Sequence, residues 1–567
     1  MFSLRQDVLL LSLRPFEPLP MLPGAEERSL WDRVEPGLRD RLAAGAEAAL
    51  VQPLPIAPAS AFKRHLEKGD PLWLETRNEA LRRLRALVLG ACVTGSVRCL
   101  EAVADALYAL CEQSDWAMTQ ALPDFPDATH GTIDLAACET GAELSAALAL
   151  LGRSLDGLSH RISALVYHTL DVRLITPMIQ QQPGVWQFER EEAPRAAAAL
   201  LTTVLCCEHD DRRRWLSLRW ILRLLDSYVQ SCPGDGGFAR GLDRHLETVC
   251  ALNDCFALLS AASGGEVELR DQPFFQDIAG SFLKYWAGRG WFFNPGGESM
   301  RPSLSPDLLF RLGEGARINA LCGLAAWLQR TAPQEGLPDA PLLQQVACAL
   351  GRSALLGHVA RAPALSGTLL PDSCLLTGGM EDFFAGMTGP AGGGDPAGDL
   401  ALFHKGVPVL LPFRGAHSVP TVNGYVQLPG RGGSEAERQA GPGWQMLCMN
   451  ISRAYPKEAG LSNWQRTWMM APFEGGIRLM DVFDLEKPGL VTFRLILSRQ
   501  PRISGNQVRM GDRLTLDFDP SLVPHAQPIP VPAPLRASYG EALWQLSLVT
   551  PEPVQNGHYT VFFSAAP

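Results

Sequence analysis

The hydrophobic pattern of this chain changes period once, near Ala364, and that change limits its architecture more than any other feature. From about residue 38 to 361 the apolar residues recur at helical spacing. In 77–93, Leu81, Leu84, Val88 and Ala91 form one stripe, and Arg82, Arg83 and Arg85 are expected to point away from it. Similar runs follow at about 97–114, 139–154, 156–175, 191–207, 212–230, 240–263, 272–289, 317–332 and 341–361. Most joins are short and carry Gly, Pro or Asp, so sequential helices are expected to pack as antiparallel pairs. No fixed repeat is visible, which argues against a tetratricopeptide or ankyrin array. A closed ring of helical hairpins, an α/α toroid, fits the pattern better.

Beyond Ala364 the texture differs. Segment 371–398 is rich in Gly and Pro and cannot form a long helix. Short runs with strand character follow at 400–411, 424–430, 444–452, 476–485, 490–499, 512–519, 542–550 and 558–565. In 490–499, Val491, Phe493, Leu495 and Leu497 alternate with Thr492, Arg494 and Ser498, the period of a half-buried strand. The expected fold is therefore α+β and multidomain: an N-terminal extension (1–37), a toroid (38–364) and an antiparallel β-sandwich (365–567).

Composition narrows the function classes. The formal net charge is −10, which argues against nucleic-acid binding. Among 50 basic residues six are Lys and 44 are Arg, a skew that reads either as genomic base composition or as a supply of guanidinium forks suited to carboxylate or sulfate. The thirteen Cys lack any C-x-x-C pair, and many lie in apolar helical runs (Cys92, Cys138, Cys322, Cys348). Cys206 and Cys207 are adjacent, so the set reads as reduced thiols and not as a disulfide frame or zinc site. The first twenty residues make a poor signal peptide, because Arg14 and Pro15 break a short apolar patch. With no run of 18 apolar residues, neither a membrane span nor a membrane partner is expected, and a cytoplasmic location is the default.

Local motifs carry a resemblance. ALYALCEQSDW (106–116) followed by TIDLAACETGAELSAALALLG (132–152) closely resembles the heparinase II/III family of polysaccharide lyases. DGGFARGL (235–242), NDCFALLSAASGG (253–265) and GRGWFFN (288–294) are similar to further family elements in the same order. So are LPDSCLLTG (370–378), GDLALFHKGVPVL (398–410), HSVPTVNGYVQ (417–427) and RLMDVFDLEKP (478–488). The family implies β-elimination on a uronic-acid polysaccharide: one group neutralises the carboxylate, a base takes the adjacent proton, and an acid protonates the leaving oxygen. It also implies a toroid Asn or His, a Tyr, a His entering the sandwich, and a zinc ion held by sandwich His and Asp residues.

Those chemical positions are replaced here. After Asp235-Gly236-Gly237, Arg240 stands for the family's acid, Arg244 for its tyrosine and His245 for its tryptophan. The stretch 190–201 offers Glu191 and Glu192 but no Asn or His. The His-rich entry to the sandwich becomes GGGDPAGDL (392–400), the metal Asp falls near Pro412, and of the zinc set only His417 survives. No cofactor or metal is therefore expected.

The candidates are His245, His417 and Glu139 for acid–base work. Arg240, Arg244, Asp235, Trp116, Trp186 and Trp291 are the candidates for holding an acidic poly- or oligosaccharide. Arg240 and Arg244, four apart, would share a helical face and could grip a carboxylate or sulfate. Each also has a structural reading: a solvated helix for His245, a buried hydrogen bond for Glu139, a loop His for His417, an ordinary charged face for the arginines, and core packing for the tryptophans. Tyr425 and Tyr559 read as packing residues, and the glycines 392–394 as a rim loop. Three functions fit: a carbohydrate-binding or catalytically degenerate member, an active lyase with a rewired site, and a scaffold with no saccharide ligand.

Overall fold

The computed structural model describes residues 4–565 apart from 5, 57, 119–131, 181–185, 188, 239, 371–372, 374, 381, 390–394, 414, 472–475 and 512–513. The chain forms an α/α toroid of helical hairpins and an antiparallel β-sandwich, the fold class the periodicities imply. Two compact units result. One comprises Met1–Cys232, Leu246–Gln276 and Ser305–Ala360; the other comprises Pro233–His245, Asp277–Leu304 and Arg361–Pro567.

In the first unit, long helices start where the chain supplies a cap. The Asp134 carboxylate accepts from the Ala137 N–H at 2.8 Å and opens Leu135–Leu158; Asp210 accepts from Arg213 N–H at 2.8 Å and opens Asp211–Val229. Leu135–Leu158 is long and apolar enough to cross a membrane by composition, yet 72% of its most apolar window is buried inside the protein, as in a central core helix. Helix Leu72–Thr94 departs from the one-stripe reading: Arg83 is buried, and Arg85 is largely buried against Glu143. Neighbours enclose this helix on several sides: Arg77 and Arg85 enter the interior with partners, whereas Arg83 Nε and Nη1 are buried with no hydrogen-bond partner among the described residues. At Gly90 it crosses Pro36–Val51 so closely that an added Cβ would lie 2.2 Å from Ala46 Cβ. The expected helix at 156–175 is interrupted at Ser159 and ends in a π turn, Asp171–Ile175.

In the second unit, the expected helix at 272–289 stops at Lys284, and Trp286–Gly288 pairs with Trp291–Phe292 as a small hairpin. Two antiparallel sheets of nine and eight strands face each other across an apolar core. In Leu461–Ala471 the alternating residues Trp464, Arg466, Trp468 and Met470 are buried. The Gly/Pro-rich 371–398 segment contains a hairpin, Leu375–Met380 with Phe383–Thr388. Segment 424–430, expected as a strand, is irregular apart from one isolated bridge between Tyr425 and Val422. Its Gly424 has φ +81° and the preceding Asn423 φ +52°, which ends the ladder there. The glycines 392–394 lie outside the described residues. The described cysteines are all free thiols.

Candidate functional site

Glu139 is carried one turn into helix Leu135–Leu158 and sits between two arginines of other helices. Arg77 approaches one carboxylate oxygen at 3.4 Å, and Arg195 donates to the other at 2.5 Å. Arg195 also reaches Glu247 at 3.4 Å, so Arg77, Glu139, Arg195 and Glu247 form an alternating chain of charge. Burial opposes the charge on Arg195, but Glu139 and Glu247 outweigh it and raise its pKa. One turn deeper, Arg85 pairs with Glu143 at 3.0 Å and with Asp339 at 2.9 Å. Glu143, which is 1% exposed, also accepts from the Leu342 N–H at 3.2 Å. Burial still pushes its pKa up, against the pull of Arg85. Asp254 binds Arg311 and accepts from Gln344 Nε2 at 2.6 Å. Glu139, Glu143, Arg195, Glu247, Asp254 and Asp339 line a cavity of about 120 Å³ whose apolar wall includes Ala142, Ala198, Ala199, Ala251 and Leu308. Small side chains on facing helices leave this space open.

His245 sits in the second unit and is 3% exposed. Its ring stacks on Phe238 at 4.6 Å and tilts against Phe282 at 5.1 Å. Nε2 lies 2.7 Å from Ser281 Oγ. That hydroxyl gives its proton to the Ile278 carbonyl at 2.7 Å, so it accepts from an Nε2–H tautomer. Burial pushes the pKa down to about 3, against a hydrogen bond to the Ile278 carbonyl. The ring is therefore neutral and enclosed at ordinary pH.

His417 is differently placed. Its side chain is 23% exposed, and Nδ1 lies 2.6 Å from Oδ2 of the fully buried Asp399. Asp399 Oδ1 accepts from the Ser418 N–H at 2.7 Å and the Leu400 N–H at 2.9 Å, which leaves Oδ2 for the imidazole. No described residue hydrogen-bonds to Nε2 of His417. Burial lowers the pKa of His417, but the bond to Asp399 and the charges of Asp399 and Asp395 overcome it and leave the value raised. Asp395 is itself held above its ordinary value, first by burial and then by the Asp399 charge, although the Gly296 N–H donates to it at 2.6 Å.

Both loops of this dyad are pinned from beneath by Arg466. Its guanidinium is buried, bonds Asp481 at 2.9 and 3.1 Å, and donates to the carbonyls of Gly398 at 3.0 Å and Ser418 at 2.6 Å. Asp399, Asp395, Arg466 and Asp481 were not singled out from the sequence. One signal was available: Arg466 and Asp481 both occupy inward positions of alternating strands, where an unpaired charge is not tolerated.

The remaining candidates are dispersed. Arg240 and Arg244 are exposed, but Arg240 precedes the helix that opens at Leu242, so the two do not share a helical face. Asp235 accepts from Ser373 Oγ at 2.7 Å and Ser373 N–H at 3.0 Å, tying a turn to the strand region. Trp116 is buried, donates to the Leu110 carbonyl at 2.8 Å and has Arg173 over its ring at 4.7 Å. Trp186 is half-buried and pairs with Ile133 in a two-residue parallel ladder. Trp291 is 8% exposed and packs against Phe403 and Tyr539. Glu191 and Glu192 lie in a single 3₁₀ turn, where Glu192 closes a capping box with Glu189. Tyr425 is 42% exposed, whereas Tyr559 packs on Phe483 and Phe493.

Among the described residues no three His, Cys, Asp or Glu side chains converge to hold a metal, and His417 Nδ1 is already engaged by Asp399.

No family model and no curated protein matches the sequence. Solved structures do match. Heparinase III is similar over 99% of this chain and 89% of its own, with 10% identity and a TM-score of 0.62. The Streptomyces coelicolor A3 chondroitin AC lyase, solved with chondroitin sulphate, matches over 99% of this chain and 83% of its own at 12% identity and a TM-score of 0.56. The Pedobacter heparinus heparan sulfate lyase HepC, in mutant form, matches over 93% and 88% at 13% identity and a TM-score of 0.55. At these identities the likeness establishes the fold. The motif resemblance to heparinase II/III proteins holds at that level, and this chain is a divergent bearer of the polysaccharide-lyase fold.

Proposed function

We propose that this protein binds an acidic poly- or oligosaccharide on a polysaccharide-lyase scaffold without performing the family's usual elimination. The observation that carries the reading is that two of the three acid–base candidates are already spent. Glu139 is shared by Arg77 and Arg195, and His245 is neutral and sealed between two phenylalanines. The ligand class is supported by structural neighbours named for heparan sulfate and chondroitin. Arg240 and Arg244, both exposed, are the proposed contacts for its carboxylate or sulfate groups. The cytoplasmic location remains part of the proposal, as does the absence of a cofactor.

A second reading rests on His417. A partly exposed imidazole oriented by a buried carboxylate, with Nε2 unbonded among the described residues, has the geometry of an acid–base group. On that reading the protein is an active lyase with a rewired site. Ultraviolet absorbance of the unsaturated product, followed with a panel of uronic-acid polysaccharides, separates the two. Binding by calorimetry without product supports the first reading. Product formation that is lost in His417→Ala overturns it.

A further inference from the structure

Helix Asp211–Val229 carries five arginines against two aspartates, in a chain whose net charge is −10. Its buried face uses Leu218, Ile221, Leu222, Leu225 and Val229. On the opposite face Arg212, Arg219 and Arg223 are all exposed. Their spacings of seven and four residues align them in one row, about 10 and 6 Å apart along the axis. Trp215 and Trp220 flank this row on either side. Trp215 is 40% exposed, with the Arg219 guanidinium 5.7 Å from its ring centroid, and Arg223 lies 4.7 Å from that of Trp220.

Two facts make this more than a solvated face. Among the described residues no carboxylate lies within ion-pair distance of Arg212, Arg219 or Arg223. The carboxylates nearest in sequence are otherwise engaged: Asp210 caps the helix and Asp211 pairs with Arg214. An exposed indole is costly to leave in water, and here it holds a guanidinium in place by cation–π contact. Unpaired arginines pre-positioned by aromatic faces suit a linear anion of regular charge spacing, whose sugar rings can lie against the indole while its anionic groups take the guanidinium forks.

We propose that the outward face of Asp211–Val229 is a saccharide-binding surface that holds an extended acidic polysaccharide. This rests on the ligand class proposed above, but it places the contact on residues that neither the motifs nor the family resemblance single out. The test is calorimetric titration at low ionic strength with heparan sulfate and chondroitin sulfate. Parallel arms use a single-stranded RNA homopolymer, phosphatidylserine-containing vesicles and a neutral glucan. The variants are Arg212→Gln/Arg219→Gln/Arg223→Gln, Trp215→Ala and, as a control elsewhere on the surface, Arg98→Gln/Arg153→Gln; all alter exposed side chains.

The expected result is a loss of about tenfold or more in polysaccharide affinity for the triple variant, a smaller loss for Trp215→Ala, and unchanged affinity in Arg98→Gln/Arg153→Gln. Polysaccharide affinity unchanged in the triple variant overturns the inference while leaving the proposed ligand class intact. Tighter binding of RNA or vesicles than of polysaccharide, lost in the same variant, overturns the choice of ligand for this face. Absence of acidic-polysaccharide binding by the unmodified protein overturns both readings together.

Discussion

Replacing Arg466 by Met should be the most damaging single change in the sandwich, and its consequences can be worked from the contacts. The side chain is fully buried and makes four hydrogen bonds: two to Asp481 and one each to the Gly398 and Ser418 carbonyls. Methionine fills much of the volume but leaves the Asp481 carboxylate with the Trp464 indole N–H, at 2.7 Å, as its remaining hydrogen-bond partner among the described residues. Two buried carbonyls also lose a donor. Removing one member of a buried ion pair costs about 3–5 kcal/mol, because the other charge stays buried without compensation. For a unit of this size that corresponds to a fall of about 6–20 °C in the melting transition.

Adding Asp481→Leu should recover part of the loss, since no buried charge then remains. The freed Gly398 and Ser418 carbonyls flank Asp399 and His417, so the single variant should also loosen the dyad and let the His417 pKa relax toward its ordinary value. Urea unfolding followed by tryptophan fluorescence reads the first effect, and an NMR titration of the imidazole reads the second. A loss below about 1 kcal/mol would refute the buried-pair reasoning. A large loss with an unchanged His417 titration would refute the claim that Arg466 positions the dyad.

Four further outcomes are expected. The folded pKa of His417 lies above its ordinary 6.5, so the stability from its pairing with Asp399 is whole below that value and is lost as pH rises through the raised folded one; Asp399→Asn should flatten this slope in pH-dependent urea melts. Arg85→Ala leaves buried Glu143 without its cation and should cost about 3–5 kcal/mol by thermal denaturation, more than Glu143→Gln, which keeps a hydrogen-bonding group there. Gly90→Ala forces a Cβ against Ala46 and should cost about 1–3 kcal/mol, whereas Gly45→Ala, with open space around its Cβ, should not destabilise. His245→Phe should leave any saccharide binding unchanged, because the ring is enclosed and neutral; altered affinity with an intact fold would contradict that placement.

The candidate site was only partly legible before folding. Glu139 inside an apolar helix signalled a partner, because a buried carboxylate requires one. That the partners are Arg77 and Arg195, more than fifty residues away on either side, depends on which helices become neighbours. His245 read as a helix residue at a cleft; two phenylalanines, one from a helix more than thirty residues on, turned it into a core group. Asp399 lay in a segment read for its missing histidines, and its pairing with His417 emerged only when two loops met over Arg466.

The sequence alone determined what is local. The switch from a 3.6-residue to a two-residue hydrophobic period specified helices and then strands, because each period buries one face of one element and exposes the other. Caps such as Asp134 and Asp210 fixed helix starts through hydrogen bonds that span three residues. Even the inward position of Arg466 was written in its strand, between Trp464 and Trp468. The tertiary structure decided register and partnership. Only the pairing of Leu461–Ala471 with Gly476–Gly489 sets Arg466 directly opposite Asp481. Only the packed chain assigns 233–245 and 277–304, in the helical part of the sequence, to the unit that contains the sandwich. Periodicity records which way a side chain faces, but a long-range contact depends on the sum of all the faces buried together, and no local pattern contains that sum.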